Sequence, residues 1–262
     1  MKTASNSPSS YSGGITVKSP QEMDAMRRAG AVVGATLAVL RESVKPGIKT
    51  RELDAIANRE IKKLGAKPAF KGYRGFPATI CASVNDEIVH GIPGDRVLRE
   101  GDLVKMDVGA VDDGFIGDAA ITVGVGNISP ESADLIEVTR LSLEEGIKAA
   151  RGGARVGDIG DAVQKFAEAR GYSVVREYVG HGIGRFLHED PQVPNYGPGG
   201  RGALLRRGMT IAIEPMVNIG GWHTRLQDDQ WTVVTADKSL SAHFEHTIAI
   251  NDGEAEVLTV PR

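Results

Sequence analysis

The sequence predicts an α+β fold built from two similar halves, and three features predict it. A proline-started pair of helices opens each half, strand patterns follow each pair, and single carboxylates stand inside otherwise apolar strand patterns. Helices that alternate with strands in two matching blocks place the acidic residues of both halves in reach of one cleft.

Residues 1–14 are polar and Ser-rich with no apolar core, and are read as a disordered tail ahead of one domain over residues 15–262. Ser19-Pro20-Gln21-Glu22 is a helix start, because serine caps, proline fits the first turn and glutamate closes a capping box. An amphipathic stripe runs on from Met23 to Val44. Gly47-Ile48-Lys49-Thr50-Arg51-Glu52-Leu53 opens a second helix, which a C-cap glycine ends at Gly65.

Leu103 to Val108 and Phe115 to Ile121 then flank Asp112-Asp113-Gly114, a hairpin signal. Two registers are open. A turn at Asp112-Asp113 sets Asp107 opposite Asp118, whereas a turn at Asp113-Gly114 sets Asp107 opposite Ala120 and diagonal to Asp118. Either way both carboxylates share a face, since side chains alternate with period two. Like charges that close destabilise a hairpin, so the pair calls for a cation.

Ser129-Pro130-Glu131-Ser132 repeats the cap and proline 110 residues after the first. An amphipathic helix from Ala133 to Ala150 follows, and Gly153-Ala154-Arg155-Val156-Gly157-Asp158-Ile159 opens a further one that ends at Gly171. The repeat divides the domain into halves of about 15–127 and 128–262. Its plainer alternative is two helical hairpins that happen to share caps.

The second half carries three more candidate ligands. His181 lies in Gly180-His181-Gly182-Ile183-Gly184, Glu214 ends the run Met209 to Ile213, and Glu245 stands in His243 to Ile250. An unpaired ionised carboxylate in a sheet interior costs several kcal/mol. Two divalent cations would balance Asp107, Asp118, Glu214 and Glu245. An oxygen and imidazole donor set suits Co, Mn, Fe(II) or Zn. Two such ions about 3.5–4 Å apart activate water for hydrolysis of a carbonyl or phosphoryl centre. Other chemistries find less support: no Gly-x-Ser-x-Gly elbow, no Walker lysine and no His-Glu-x-x-His helix is present.

Composition is ordinary for a soluble globular protein. The chain has 262 residues, 41% hydrophobic and 25% charged, with a net charge of −3 that offers no nucleic-acid footprint. A lone cysteine, Cys81, excludes an intrachain disulfide framework, and no apolar stretch reaches membrane-spanning length. The simplest compartment is the cytoplasm.

Gly180-His181-Gly182-Ile183-Gly184, Ile213-Glu214-Pro215-Met216 and Phe244-Glu245-His246-Thr247, with Asp107 and Asp118 eleven apart, resemble type I methionine aminopeptidases from about Ser19 onward. The resemblance implies the pita-bread fold, with a pseudo-twofold pair of halves and a central antiparallel curved sheet covered by helices. It also implies two divalent metal ions per chain and removal of initiator methionine ahead of a small second residue. Asp107 would chelate one ion, His181 and Glu214 the other, and Asp118 and Glu245 would bridge them. His90, His188 and Glu214 would be catalytic, with one histidine on the scissile amide and one on the tetrahedral intermediate. Tyr73, Phe76, Cys81, Leu187 and Trp231 would line the methionine pocket with His90 and His188. Phe76 stands for a tyrosine and Leu187 for a frequent phenylalanine, and both changes stay apolar. Expected partners are nascent polypeptide N-termini, including those at the ribosome, with no sequence-specific nucleic acid and no membrane, and the chain is expected to be a monomer. His223 and His243 are read as surface and strand residues without a role, and His246 as structural because it alternates away from Glu245.

A prolyl-specific relative would share the ligands but commonly carries a further N-terminal domain, and a non-catalytic relative would lose ligands that stand here.

Overall fold

The computed structural model describes residues 13–261, so all of the expected tail except Gly13 and Gly14 lies outside the described residues. Helices α1 (Pro20–Ser43) and α2 (Thr50–Lys63) precede strands β1 (Lys67–Pro68), β2 (Ile80–Val84), β3 (Glu87–Val89), β4 (Leu103–Asp112) and β5 (Phe115–Gly124). Helices α3 (Pro130–Ala149) and α4 (Val156–Glu168) come next. They precede β6 (Ser173–Val174), β7 (Gly180–Gly182), β8 (Glu189–Val193), β9 (Thr210–Ile213) and β10 (Met216–Asn218). The chain ends through β11 (Thr224–Leu226), β12 (Val233–Thr235), β13 (Ser241–His243), β14 (Glu245–Ala249) and β15 (Glu256–Val257).

The caps read from the sequence are formed. Ser19 Oγ accepts from Glu22 N at 3.3 Å while Glu22 Oε2 accepts from Ser19 N at 3.0 Å, and Ser129 Oγ accepts from Ser132 N at 3.1 Å. Helices α1 and α3 begin three residues ahead of their apolar stripes, because proline occupies the first turn without needing a hydrogen-bonded N–H. Gly65 and Gly171 sit past α2 and α4 with φ of 82° and 84°, where a side chain would be strained.

Both halves feed one nine-stranded sheet in the order β1-β4-β5-β14-β9-β7-β8, with β2 beside β4 and β15 beside β14, and its pairings are antiparallel. The halves join where β5 meets β14. Only Glu245↔Ala120 and His246↔Ala119 form the ladder there. Thr247 and Thr122 extend it with their hydroxyls: Thr247 Oγ1 donates to Asp118 O at 2.7 Å and accepts from Asp118 N at 3.0 Å, and Thr122 Oγ1 does the same with the backbone of His243.

One face of the sheet is apolar. Met106, Val108, Ala119, Ile121, Ile211, Ile213 and Ile248 pack there with Val33, Leu37, Leu40 and Leu53 of the first helix pair and with Leu143 and Ile159 of the second. Burial of this layer is the main driving force for the fold. Helix α1 lies closest to β5, since a Cβ on Gly117 would stand 2.8 Å from the Gly30 backbone. A Cβ on Gly30 would in turn stand 2.4 Å from the Leu258 carbonyl oxygen.

Gly30→Ala is therefore expected to destabilise the protein by about 1–3 kcal/mol through overpacking. At an unconstrained helix position the same change would stabilise by about 1 kcal/mol. Urea unfolding checks the sign, and a raised midpoint would mean that the helix does not pack against the C-terminal segment as described.

Candidate metal centre

The hairpin takes the second of the two registers. Asp113 and Gly114 make the turn with φ of 48° and 76°, so Asp107 pairs with Ala120 and Asp118 with Gly109. Following the registers across the sheet puts five side chains on the face opposite the helices. Asp107 pairs with Ala120, and Ala120 with Glu245; two residues on from Glu245, Thr247 pairs with Ala212, and Ala212 with His181. Glu214 lies two past Ala212, and Asp118 two before Ala120, on the same face. Cys81 joins them because it pairs with Asp107.

The side chains converge accordingly. Asp118, His181 and Glu245 offer atoms that all lie within 4.8 Å of one another. His181 Nε2 stands 3.9 Å from Asp118 Oδ2 and 3.6 Å from Glu214 Oε1, and the Asp107 carboxyl is an electrostatic neighbour of that of Asp118. His181 Nδ1 is 2.9 Å from the Gly182 carbonyl, which can only accept, so Nδ1 holds the proton and Nε2 turns a lone pair to the carboxylates. Asn195 Nδ2 donates to the Glu214 carbonyl at 3.0 Å and fixes the chain where it leaves β9.

Charge is what the cluster lacks. Asp107 Oδ1, Asp118 Oδ1 and Glu245 Oε1 are buried without a hydrogen-bond partner among the described residues. Burial lifts the Asp107 carboxyl to about 7 and holds Asp118, Glu214 and Glu245 well above the ordinary range, where neighbouring carboxylates add to the effect. Burial pushes His181 down to about 4 and His188 to about 3, so both imidazoles are neutral. Neutral nitrogen and orphaned carboxylate oxygen are the donors that a hard to borderline divalent ion takes.

All the residues expected at the site line one cavity, together with Phe70 and Arg74. Phe76 and Trp231 meet edge to face at 5.1 Å between ring centres. His188 lies 4.3 Å from His181, ring centre to ring centre, and its Nδ1 is 2.8 Å from the Tyr73 hydroxyl. Burial and the three nearby carboxylates push the Cys81 thiol up, so it is a neutral apolar wall. His246 faces away and contacts Thr259 Oγ1 at 2.8 Å, in line with its structural reading, and His223 is exposed.

Two residues go beyond the sequence reading. Lys105 is fully buried on the site face, and its ammonium donates to Asn85 O at 2.6 Å and Ser241 O at 3.1 Å. It ties the turn before His90 to the strand that leads into Glu245. His243 is also buried, with neither ring nitrogen hydrogen-bonded among the described residues, and its Nε2 is 3.9 Å from Glu214 Oε2. The period of two held the only signal for both, since Lys105 precedes Asp107 by two residues and His243 precedes Glu245 by two.

The sequence pattern of metallopeptidase family M24 matches residues 24–252. Methionine aminopeptidase 1 of Bacillus subtilis is 53% identical over 245 residues, covering 94% of this chain and 99% of its own. The crystal structure of a methionine aminopeptidase from Thermotoga maritima superposes with a TM-score of 0.93 at 48% identity, over 94% of this chain and 100% of that one. A prolidase from Pyrococcus furiosus shares the fold at a TM-score of 0.76 and 22% identity, over 94% of this chain and 66% of its own. The expected pita-bread fold is the fold found. No helix among the described residues is long and apolar enough to cross a membrane.

The raised carboxyl pKa values set a pH dependence. A carboxyl whose folded pKa exceeds its unfolded value lowers native stability as pH rises between the two, because the unfolded chain sheds its proton first. Above the ordinary histidine value of 6.5 the buried histidines no longer oppose this trend. Relative to its Glu245→Gln variant, in which the opposing buried amines of Lys105 and Lys18 are unchanged, chelator-stripped protein should therefore lose melting temperature between about pH 6.5 and about pH 8.5. With excess Mn2+ or Co2+ the trend should reverse, because ligand deprotonation then favours binding. The same change with pH in both proteins without metal would contradict the carboxylate burial.

Proposed function

The chain belongs to metallopeptidase family M24, and we propose that it removes the N-terminal methionine from polypeptides whose second residue is small. It is a metal-dependent aminopeptidase. The observation that carries the reading is the convergence of four carboxylates and one neutral imidazole at the floor of an apolar, aromatic-walled cavity.

In this reading Asp107, Asp118, His181, Glu214 and Glu245 would hold two divalent ions. When bound, such ions lower the pKa of water and stabilise the charge that develops on the carbonyl oxygen. Co, Mn, Fe(II) and Zn all suit the donor set.

The remaining work falls to the chain's own groups. Tyr73, Phe76, Cys81, Leu187 and Trp231 enclose the methionine side chain, and the Cys81 sulfur packs against its thioether. Glu214, whose carboxylate lines the cavity, accepts the proton of the attacking water and returns it to the leaving amine. A Tyr73 hydroxyl that donates to Nδ1 of His188 leaves Nε2–H as the donor facing the substrate. His90 and His188 between them bond the scissile amide and the developing oxyanion. In this reading the protein acts on nascent chains in the cytoplasm, as a monomer.

Incubation of metal-loaded protein with Met-Ala-Ser, Met-Lys-Ser and Ala-Pro-Ser should release an amino acid from the first peptide only. Cleavage of Ala-Pro-Ser in its place would favour the prolyl-specific rival.

His90→Ala and His188→Ala should keep their metal and lose kcat by the equivalent of about 2.7–4 kcal/mol, the cost of one lost oxyanion donor. Loss of bound metal from His188→Ala would make that histidine a ligand instead.

A further inference from the structure

The loop from Ile183 to His188 brings Leu187 and His188 to the cavity, and its anchor comes from the segment ahead of α1. Lys18 Nζ lies 3.0 Å from Glu189 Oε2, with the two side chains only 4% and 3% exposed. Thr16 Oγ1 donates to the same oxygen at 2.7 Å, and Phe186 N donates to Oε1 at 3.2 Å. The Lys18 ammonium also contacts the Thr16 hydroxyl. Both carboxylate oxygens of Glu189 are thus engaged, one from within its own loop and one from a segment about 170 residues away in sequence.

The chain makes room for this pair. A Cβ on Gly184 would stand 2.7 Å from both Glu189 Oε1 and Lys18 Nζ. The segment that carries Lys18 is itself held, by Lys18 N donating to Gly208 O at 2.8 Å and by a parallel bridge between Ile15 and Asp190. Glu189 follows His188 directly, so the backbone that the pair fixes is the backbone from which the imidazole projects toward His181 and Tyr73.

We propose that the buried Lys18–Glu189 pair is a strut that positions His188 for the reaction, which makes the segment ahead of α1 part of the active site. The proposal rests on the role given to His188 above. Glu189 touches neither substrate nor reacting atoms, and acts through its neighbour.

A double-mutant cycle on kcat tests it, using Met-Ala-Ser, Co2+-loaded protein, measured metal content and circular dichroism for each variant. Glu189→Gln should lower kcat about 10- to 100-fold, as small displacements of a catalytic group do. Metal content should be unchanged and KM should move less than kcat. In the His188→Ala background the same substitution should cost no more than about twofold, because the group it positions is gone. An equal loss in both backgrounds would assign Glu189 a general structural part and overturn the proposal, as would full kcat in Glu189→Gln. Full kcat in His188→Ala alone would show the underlying role of His188 to be wrong, and the strut would fall with it. If Glu189→Gln does not fold, Thr16→Val removes a single hydrogen bond from the carboxylate and enters the same cycle. A smaller kcat loss that vanishes in the His188→Ala background supports the strut, and one that persists there overturns it.

Discussion

Four carboxylates brought to one face of a sheet, with no protein cation to pair them, are the constraint on which the rest of this structure depends. Among the described residues no lysine or arginine forms an ion pair with Asp107, Asp118, Glu214 or Glu245. The buried amine on that face, Lys105, spends its hydrogen bonds on backbone carbonyls. Such a cluster is costly without external charge, and the cost is what gives it affinity for divalent ions. The folding energy that tolerates it comes from the opposite face, where the apolar side chains of the same strands meet both helix pairs.

Register is the means by which distant parts of the chain deliver the cluster. Asp107 and Asp118 come from one hairpin, Glu245 from β14, and His181 and Glu214 from β7 and the end of β9. A slip of one residue at the β5–β14 join would send Glu245 to the helix face. Only two ladder pairs hold that join, and the hydroxyls of Thr122 and Thr247 bracket them on either side. Precise alignment of the two halves is therefore maintained by side chains as well as by backbone.

Much of the fold was legible because it is written locally. Caps, prolines and glycines mark the helix pairs, and the alternation of Asp107 and Asp118 about a turn told that they share a face in either register. The choice between the registers depended on which residues take positive φ, and Asp113-Gly114 does so more readily than Asp112-Asp113. Lys105 and His243 were less legible, since a polar residue in a strand does not declare whether its face is buried. The Lys18–Glu189 pair could not be read at all: no local pattern encodes a contact between an N-terminal segment and a loop in the other half. Cavity walls fall between these cases, because Phe76 and Trp231 are ordinary apolar residues until tertiary packing sets them edge to face.

The most direct test of the account is a count of ions. Chelator-stripped protein is dialysed to equilibrium against Co2+ or Mn2+ while turnover of Met-Ala-Ser is followed on the same samples. The account predicts saturation at two ions per chain, with both lost together when Asp118→Asn or Glu245→Gln removes a shared ligand. Full turnover at one ion per chain, or an unchanged count in those variants, would contradict it.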